Sequence, residues 1–278
     1  MPRDRHIITP PRHRSAYELD VPELIPPDLP GDVIAIEDAD DLIDRVAAEL
    51  VLHAENCVRQ FGDFHLALSG GPLQEPLYER LMYDPNYRRL PWRRVHLWIV
   101  DEPSVPLGDS RSQFRMIDET IVDHSGIPAE QVHPIYATSD EADVQYTLKM
   151  QEILSFRPKG HDRLDYVLLN VGVDGHVAGL FPGTQAVGEP VKPMRINVHE
   201  AVDPPRWVTM TLPIINAARL VAVLATGAET ADVVRRLSLR RENAETLPVA
   251  GIKPMEGELR WYVDGPACRG DDNGELNA

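Results

Sequence analysis

The stretch DYVLLNVGVDGHVAGLFPGT, residues 165–184, decides the fold. It opens with a continuous apolar run, residues 166–171, which is typical of a β-strand buried on both faces. Gly172 ends the run, and the loop that follows carries Asp174, Gly175 and His176. Open parallel sheets bind their ligands at the carboxyl ends of the strands. The loop is therefore a candidate active site, although the same residues also suit a plain turn in which Asp174 caps a helix.

Strands and helices alternate on both sides of this stretch. The expected strands are residues 64–69, 95–100, 166–171, 207–212 and 220–225, with an edge strand at 259–263, and the expected helices are residues 37–60, 75–82, 112–122, 141–156 and 228–239. This alternation predicts an α/β fold with a doubly wound, mostly parallel sheet and helices on both faces.

Length and composition point to one main folding unit. The chain has 278 residues, of which 43% are hydrophobic, which is enough for the core of a single α/β domain. We expect an extended Pro-rich arm over residues 1–32, one domain over residues 33–267, and an acidic flexible tail over residues 268–278.

Charge and cysteine usage exclude several classes of protein. The formal net charge of −16 disfavours binding to nucleic acid or to anionic lipid. The chain has no apolar run of membrane-spanning length, no signal-peptide core and no histidine or cysteine pair at a metal-ligand spacing. Cys57 and Cys268 are too few for a disulfide framework and fit a reducing compartment. We therefore expect a cytoplasmic protein without a metal site.

Four of the expected strands end in polar or glycine-containing loops. These loops contain Ser69-Gly70-Gly71, Asp101-Glu102, the segment from Gly172 to His176, and Thr226-Gly227. Parallel strands place their carboxyl ends at one edge of the sheet, so the four loops are expected to converge. Each loop alone also has a structural explanation, because Gly-Gly often marks a tight turn and Asp-Glu often caps a helix.

The same segments, in this order, resemble the 6-phosphogluconolactonase family, whose wider relatives are the glucosamine-6-phosphate isomerases. The stretch GVDGHVAGLFPGT is similar to the family motif G-x-D-G-H-T-A-S-L-F-P-G, and LALSGG, VDE, VTMTLPIINAARLVAVLATG and LRWYVD also match. The resemblance runs from about residue 32 to residue 267. It implies a three-layer, doubly wound α/β sheet with a smaller lid-like part.

The resemblance also implies a reaction, the hydrolysis of a six-membered sugar lactone such as 6-phosphoglucono-1,5-lactone in the pentose phosphate pathway. His176 would deprotonate the attacking water, a role that suits an imidazole with its unperturbed pKa of about 6.5, and Asp174 would orient it. No cofactor or metal is implied. The expected substrate-binding residues are Ser69, Gly70, Gly71, Asp101, Glu102, Gly175 and Arg206.

The chain departs from the family pattern where a phosphate group would bind. Pro72 and Leu73 replace two hydroxyl residues, Pro103 replaces an arginine, and Thr230 replaces a lysine. Gln113 and Trp207 also depart from the family pattern, and Arg111, Arg115 and Arg206 lie close in sequence to these two positions. Three alternatives stay open: other cations bind the phosphate, the substrate is an unphosphorylated sugar lactone, or the protein is catalytically impaired and binds a metabolite or, through residues 1–32, a protein partner.

Overall fold

The computed structural model describes residues 24–270, which contain ten β-strands in two sheets. The strands are β1 (Asp32–Ile36), β2 (Phe64–Leu68), β3 (Val95–Ile99), β4 (Asp101–Pro103), β5 (Val132–His133), β6 (Tyr166–Asn170), β7 (Met194–Val198), β8 (Arg206–Met210), β9 (Leu220–Ala225) and β10 (Glu258–Asp264). The main sheet has seven parallel strands in the order β1-β10-β9-β6-β2-β3-β5. Every residue of β2 and of β9 is buried, as the apolar runs predict.

The helices pack around this sheet. They are α1 (Ala39–Phe61), α2 (Glu75–Tyr83), α3 (Gln113–Ile117), α4 (Asp123–Ser125), α5 (Ala142–Leu154), α6 (Leu212–Asn216), α7 (Ala231–Ser238) and α8 (Gly265–Arg269). The longest, α1, begins where the Asp38 side chain accepts hydrogen bonds from the amides of Asp40 and Asp41, and ends at Gly62 in the left-handed conformation. Its apolar stripe, which includes Leu42, is fully buried and faces β1, β2 and β10.

The second sheet is small and antiparallel, with the order β4-β8-β7. Val100, which separates β3 from β4, joins the two sheets. Its amide donates to Leu68 O of β2 at 3.0 Å, and its carbonyl accepts from the amide of Met210, at the end of β8, at 2.8 Å. The small sheet is thereby fixed at the carboxyl edge of the large one.

The order of the strands identifies the place where a ligand should bind. From β2 the chain runs outward to β3 and β5, then returns to β6 on the other side of β2 and continues outward to β9 and β10. The direction of winding therefore reverses between β2 and β6. In doubly wound sheets such a reversal opens a crevice at the carboxyl ends of the two strands.

The predicted fold class is confirmed, and several details differ from the expectations. The expected strand at 259–263 is present as β10, but its expected edge position is wrong, because β10 lies between β1 and β9 and β1 forms that edge. The expected helix at 112–122 is α3 followed by a π-helical turn, Asp118–Val122.

The expected arm and tail lie largely outside the described residues. Within the described part of the expected arm, Leu29 is buried and β1 starts at Asp32. The first residues of the expected tail belong to α8. No helix among residues 24–270 combines the length and the apolar character that crossing a membrane would require.

Candidate active site

A cavity of about 350 Å³ lies at the carboxyl ends of β2, β3 and β6, where the strand order predicts a crevice. Three of the four loops that were expected to converge contribute to it, and Trp207 of the small sheet forms part of its wall. The lining residues are Ser69, Gly70, Gly71, Pro72, Leu73, Gln74, Asp101, Gln113, Asn170, Val171, Gly172, His176, Ala178, Phe181, Val202 and Trp207.

His176 reaches the cavity in a defined orientation. Its Nδ1 lies 2.6 Å from Asp174 Oδ1, and the same oxygen accepts the His176 backbone amide at 3.0 Å. The carboxylate therefore fixes the proton of a neutral imidazole on Nδ1 and leaves Nε2 as the basic atom. Burial raises the pKa of Asp174, but its hydrogen bonds with His176 outweigh burial, and the net shift of the pKa is downward. Asp174 is thus a carboxylate near neutral pH.

The His176 ring lies directly against the backbone of Gly172. A Cβ at residue 172 would fall 2.0 Å from the ring atoms Cε1 and Nδ1. The ring centroid also lies 5.1 Å from that of Phe181. The imidazole thus contacts a glycine and an aromatic ring, and its side chain remains 36% exposed.

The loop after β2 supplies hydrogen-bond donors. The hydroxyl of buried Tyr78 donates to the carbonyl of Ser69 and holds the start of the loop. Gly71 has a φ of 109°, a backbone conformation that glycine adopts readily. Among the described residues, no acceptor pairs with the amides of Gly70 or Gly71. Two free N–H groups in a cavity wall are suited to stabilising negative charge.

Asp101 is the buried acid of the cavity. It is 5% exposed, and its Oδ1 has no hydrogen-bond partner among the described residues. Burial raises its pKa to about 6, against smaller opposing effects of His176 and of the nearby Ser69 hydroxyl. This oxygen atom is itself buried, so a ligand hydroxyl could donate a hydrogen bond to it only after the residues around it shift.

Three carboxamides that the sequence reasoning missed complete the polar lining, namely Gln74, Gln113 and Asn170. Oriented with its nitrogen toward acceptors, buried Gln74 donates to Gly70 O at 2.8 Å and Gly71 O at 3.1 Å, and its oxygen accepts from Asn170. Gln113 Oε1 has no partner among residues 24–270. Asn170 at the end of an apolar strand was a usable signal, and the two glutamines stand at family motif positions where this chain carries different residues.

Two expected substrate-binding side chains are turned away from the cavity, which corrects the expectation. Glu102 is fully buried, and its carboxyl accepts the amides of Gln113 and Phe114 at 3.2 and 2.8 Å. It caps α3, and burial raises its pKa to about 8 despite these hydrogen bonds. The Arg206 guanidinium donates to Ser104 Oγ at 2.7 Å and to the carbonyls of Ala137 and Ser139, so it ties β8 to a neighbouring loop.

Gly175 and the loop that contains Gly227 were also expected at the site, and neither lines the cavity. The amide of Gly175 donates to Gly172 O at 2.9 Å, which uses its proton inside the loop, and a Cβ there would collide with Leu247. Gly175 therefore shapes the loop and does not face the cavity. The fourth expected loop does not line the cavity, and its Gly227 amide donates to the carboxylate of Asp264 at 2.9 Å.

A group of potential metal ligands lies outside the cavity, where the parallel register places His65 of β2 opposite His96 of β3. Together with Asp63 they offer ligand atoms within 4.8 Å of one another. However, Trp98 Nε1–H donates to His65 Nδ1 at 3.0 Å, so a neutral His65 carries its proton on Nε2. Asp63 is also paired with Arg157 Nε at 2.7 Å. These contacts fit a hydrogen-bonded packing cluster better than a cation site.

Comparison with known proteins agrees with this geometry. The family model for glucosamine-6-phosphate isomerases and 6-phosphogluconolactonase matches residues 37–261. The chain belongs to this family. A probable chloroplastic 6-phosphogluconolactonase of Oryza sativa subsp. indica is 30% identical over 84% of the chain and 74% of its own length. The 6-phosphogluconolactonase of Haemophilus influenzae is 29% identical over 85% of the chain and 98% of its own length.

A longer relative and two solved structures complete the comparison. The chain is 32% identical to the human GDH/6PGL endoplasmic bifunctional protein and spans 29% of that protein's length. The 6-phosphogluconolactonase of Thermotoga maritima superposes with a TM-score of 0.69 at 26% identity, covering 84% of this chain and 99% of its own. That of Trypanosoma brucei superposes with a TM-score of 0.72 at 24% identity, covering 86% and 98%. The architecture is thus shared across the family.

Proposed function

We propose that the protein hydrolyses a six-membered sugar lactone, with His176 as the general base. The observation that carries the proposal is the Asp174–His176 pair at the cavity, with Nδ1 and Oδ1 only 2.6 Å apart. Membership of a family whose relatives are named 6-phosphogluconolactonase supports the same reaction.

The geometry suggests the following course of reaction. Nε2 of His176 takes a proton from a water molecule as the water oxygen attacks the lactone carbonyl carbon. The carbonyl oxygen gains negative charge, which the free amides of Gly70 and Gly71 can stabilise. The bond between the carbonyl carbon and the ring oxygen then breaks, and the imidazolium returns the proton to that oxygen. The product is an open-chain hydroxy acid, which loses a proton at neutral pH.

The other polar groups of the cavity suit the binding of sugar hydroxyls. Asp101 Oδ1 and Gln113 Oε1 are buried, unpaired acceptors among the described residues, and Asn170 adds an amide. A small shift of the lining would let these groups pair with hydroxyls and so hold the ring with its carbonyl near His176. All of these steps use side chains, backbone amides and water.

The test is lactone turnover above the spontaneous rate, followed by the release of acid. We expect His176→Ala to lower kcat by about 10²–10⁴-fold, the usual contribution of a general base. His124→Ala, which removes an exposed histidine elsewhere, is the matched control and should keep the wild-type rate. Equal rates for wild type and His176→Ala would reject the proposal.

The main rival is a non-catalytic family member that binds a metabolite or a protein partner through residues 1–32. This alternative is favoured by the lack of a lysine or arginine side chain in the cavity lining of the described residues. It predicts no turnover by the wild type and a stable complex that is lost when residues 1–23 are removed. Lactone turnover that depends on His176 would exclude it.

A further inference from the structure

We infer that the cavity selects a sugar lactone without a phosphate group. This inference rests on the proposed function and concerns the same site. It begins from charge: among residues 24–270, the cavity lining contains no lysine and no arginine. The charged groups at the cavity are the Asp101 carboxyl and the Asp174–His176 pair.

A phosphate monoester carries a charge of about −1.5 to −2 at neutral pH. Binding it away from water requires cations or several amide donors to replace its hydration. The cavity instead contains the carboxyl of Asp101, whose pKa of about 6 leaves it largely ionised at pH 7. The local charge therefore opposes a phosphorylated ligand, as does the net charge of −16.

The arginines closest in sequence to residues of the cavity lining already pair with other groups. Arg111 pairs with Asp109 at 2.9 Å and with Asp203 at 3.3 Å. Arg115 pairs with Glu119 at 2.8 Å and also donates to Gly108 O. Arg206 is held by Ser104 and two backbone carbonyls. Arg206 could reach the cavity only by breaking its contacts, whereas the exposed pairs hold Arg111 and Arg115 less firmly.

The lining instead matches a neutral polyol. Carboxamides both donate and accept hydrogen bonds, as sugar hydroxyls do, and Gln113 and Asn170 supply them, while buried Gln74 is already paired within the wall. The remaining wall is apolar, with Leu73, Trp207 and Phe181 among its members. Aromatic and aliphatic surfaces suit the C–H faces of a sugar ring.

The experiment compares kcat/KM for glucono-1,5-lactone and for its 6-phosphorylated form, using the full chain and subtracting spontaneous opening. Acid release is followed in a pH-stat. We expect the unphosphorylated lactone to be favoured by at least about tenfold. A smaller preference, or a preference for the phosphorylated form, overturns the inference but leaves the proposed function standing. No turnover of either lactone rejects both.

A charge-insertion variant gives a second readout. Leu73 lines the cavity and is 44% exposed, so a longer polar side chain fits there without disturbing the core. We expect Leu73→Lys to raise the ratio of kcat/KM for the phosphorylated over the plain lactone by about tenfold relative to Leu73→Gln, which has no charge. Equal ratios in the two variants would mean that a missing cation does not set the specificity.

Discussion

His176 depends on the absence of a side chain at residue 172. The imidazole ring occupies the space where a Cβ of residue 172 would stand, so His176 and Gly172 form one unit. The first turn of the loop supports this arrangement, because the Gly172 amide donates to His176 O at 2.9 Å. The position of the His176 ring is therefore set by the backbone of its own loop.

We predict that Gly172→Ala displaces the imidazole and lowers lactone turnover by at least about tenfold, since a misplaced base loses its geometry. The backbone at residue 172 does not have a left-handed φ, so alanine itself causes no strain there. Gly188→Ala is the control, because a Cβ there meets nothing within 4 Å. Wild-type turnover by Gly172→Ala would contradict this view of the site.

Asp101 gives a pH-dependent prediction. Burial raises its pKa from 3.8 to about 6, so the folded state holds this proton more tightly than the unfolded chain does. Protonation of Asp101 therefore stabilises the folded state fully below about pH 4, and this stabilisation is lost as the pH rises through 6. A tenfold difference in proton affinity between the two states corresponds to about 1.4 kcal/mol. The wild type should therefore lose about 2–3 kcal/mol between pH 4 and pH 7.5 through this group.

The measurement for Asp101 is urea unfolding of wild type and Asp101→Asn at pH 4 and pH 7.5. The asparagine variant is nearly isosteric and does not titrate. Other groups titrate in both proteins, so the difference between them isolates Asp101. The variant should gain stability relative to wild type at the higher pH; a constant difference at the two pH values would show that Asp101 is not perturbed.

The place of a single residue could be predicted from the sequence only where a motif also indicated the direction of its side chain. His176, Asp174, Ser69 and Asp101 follow directly from strand ends, and strand ends meet at the cavity. Glu102 is adjacent to Asp101, but side chains alternate along a strand, so it points to the opposite face and caps α3. Arg206 faces away from the cavity because nearby carbonyls bind its guanidinium.

At the scale of elements, a buried ion network joins the amino ends of β2 and β6 to the segment after α5. Asp165 is fully buried and accepts from Arg157 at 2.6 Å, from Arg219 at 2.9 Å, and from the His65 amide at 2.8 Å. Arg157 in turn binds Asp63. The network closes the end of the sheet that lies opposite the cavity.

We predict that Arg157→Met lowers the free energy of unfolding by about 3 kcal/mol. The buried Asp165 would lose one cation, and Arg219 would offset only part of that loss. Arg235→Met is the control, because the Arg235–Asp232 pair is exposed and contributes little. Urea unfolding measures both variants. Equal effects of the two substitutions would show that the network does not stabilise this end of the sheet.

Long elements with a clear period were the predictable ones. Strand β9 and the centre of α1 follow from apolar runs and from an apolar stripe. Strands β4 and β5 were missed because they contain few residues, and the five-residue strands β1 and β7 were missed because their pairing depends on contacts distant in sequence. The small sheet therefore did not follow from the sequence, although it supplies Trp207 to the cavity.

At the scale of the whole molecule, the candidate active site and the buried ion network lie at opposite ends of one sheet. The cavity lies at the carboxyl ends of β2, β3 and β6, and the ion network lies at the amino ends. The strands between them are almost entirely apolar and buried. Substitutions in the loops can therefore change the ligand without weakening the core.

The neighbouring strands β2, β3 and β5 also carry stacked imidazoles. His65 lies over His96, with ring centroids 4.6 Å apart, and His96 Nδ1 lies 3.1 Å from His133 Nε2. Burial and neighbouring imidazoles lower the pKa of His96 to about 4 and that of His133 to about 3. Below about pH 6.5, His96 and His133 bind protons in the unfolded chain but stay neutral in the folded protein. Acidification in that range therefore favours unfolding.

In mildly acidic solution, the cost of keeping these stacked rings neutral would thus weaken the sheet on which the cavity is built. An assay of turnover alone would record that loss of structure as a loss of activity. Recording near-ultraviolet circular dichroism in the same buffers would separate lost chemistry from lost structure.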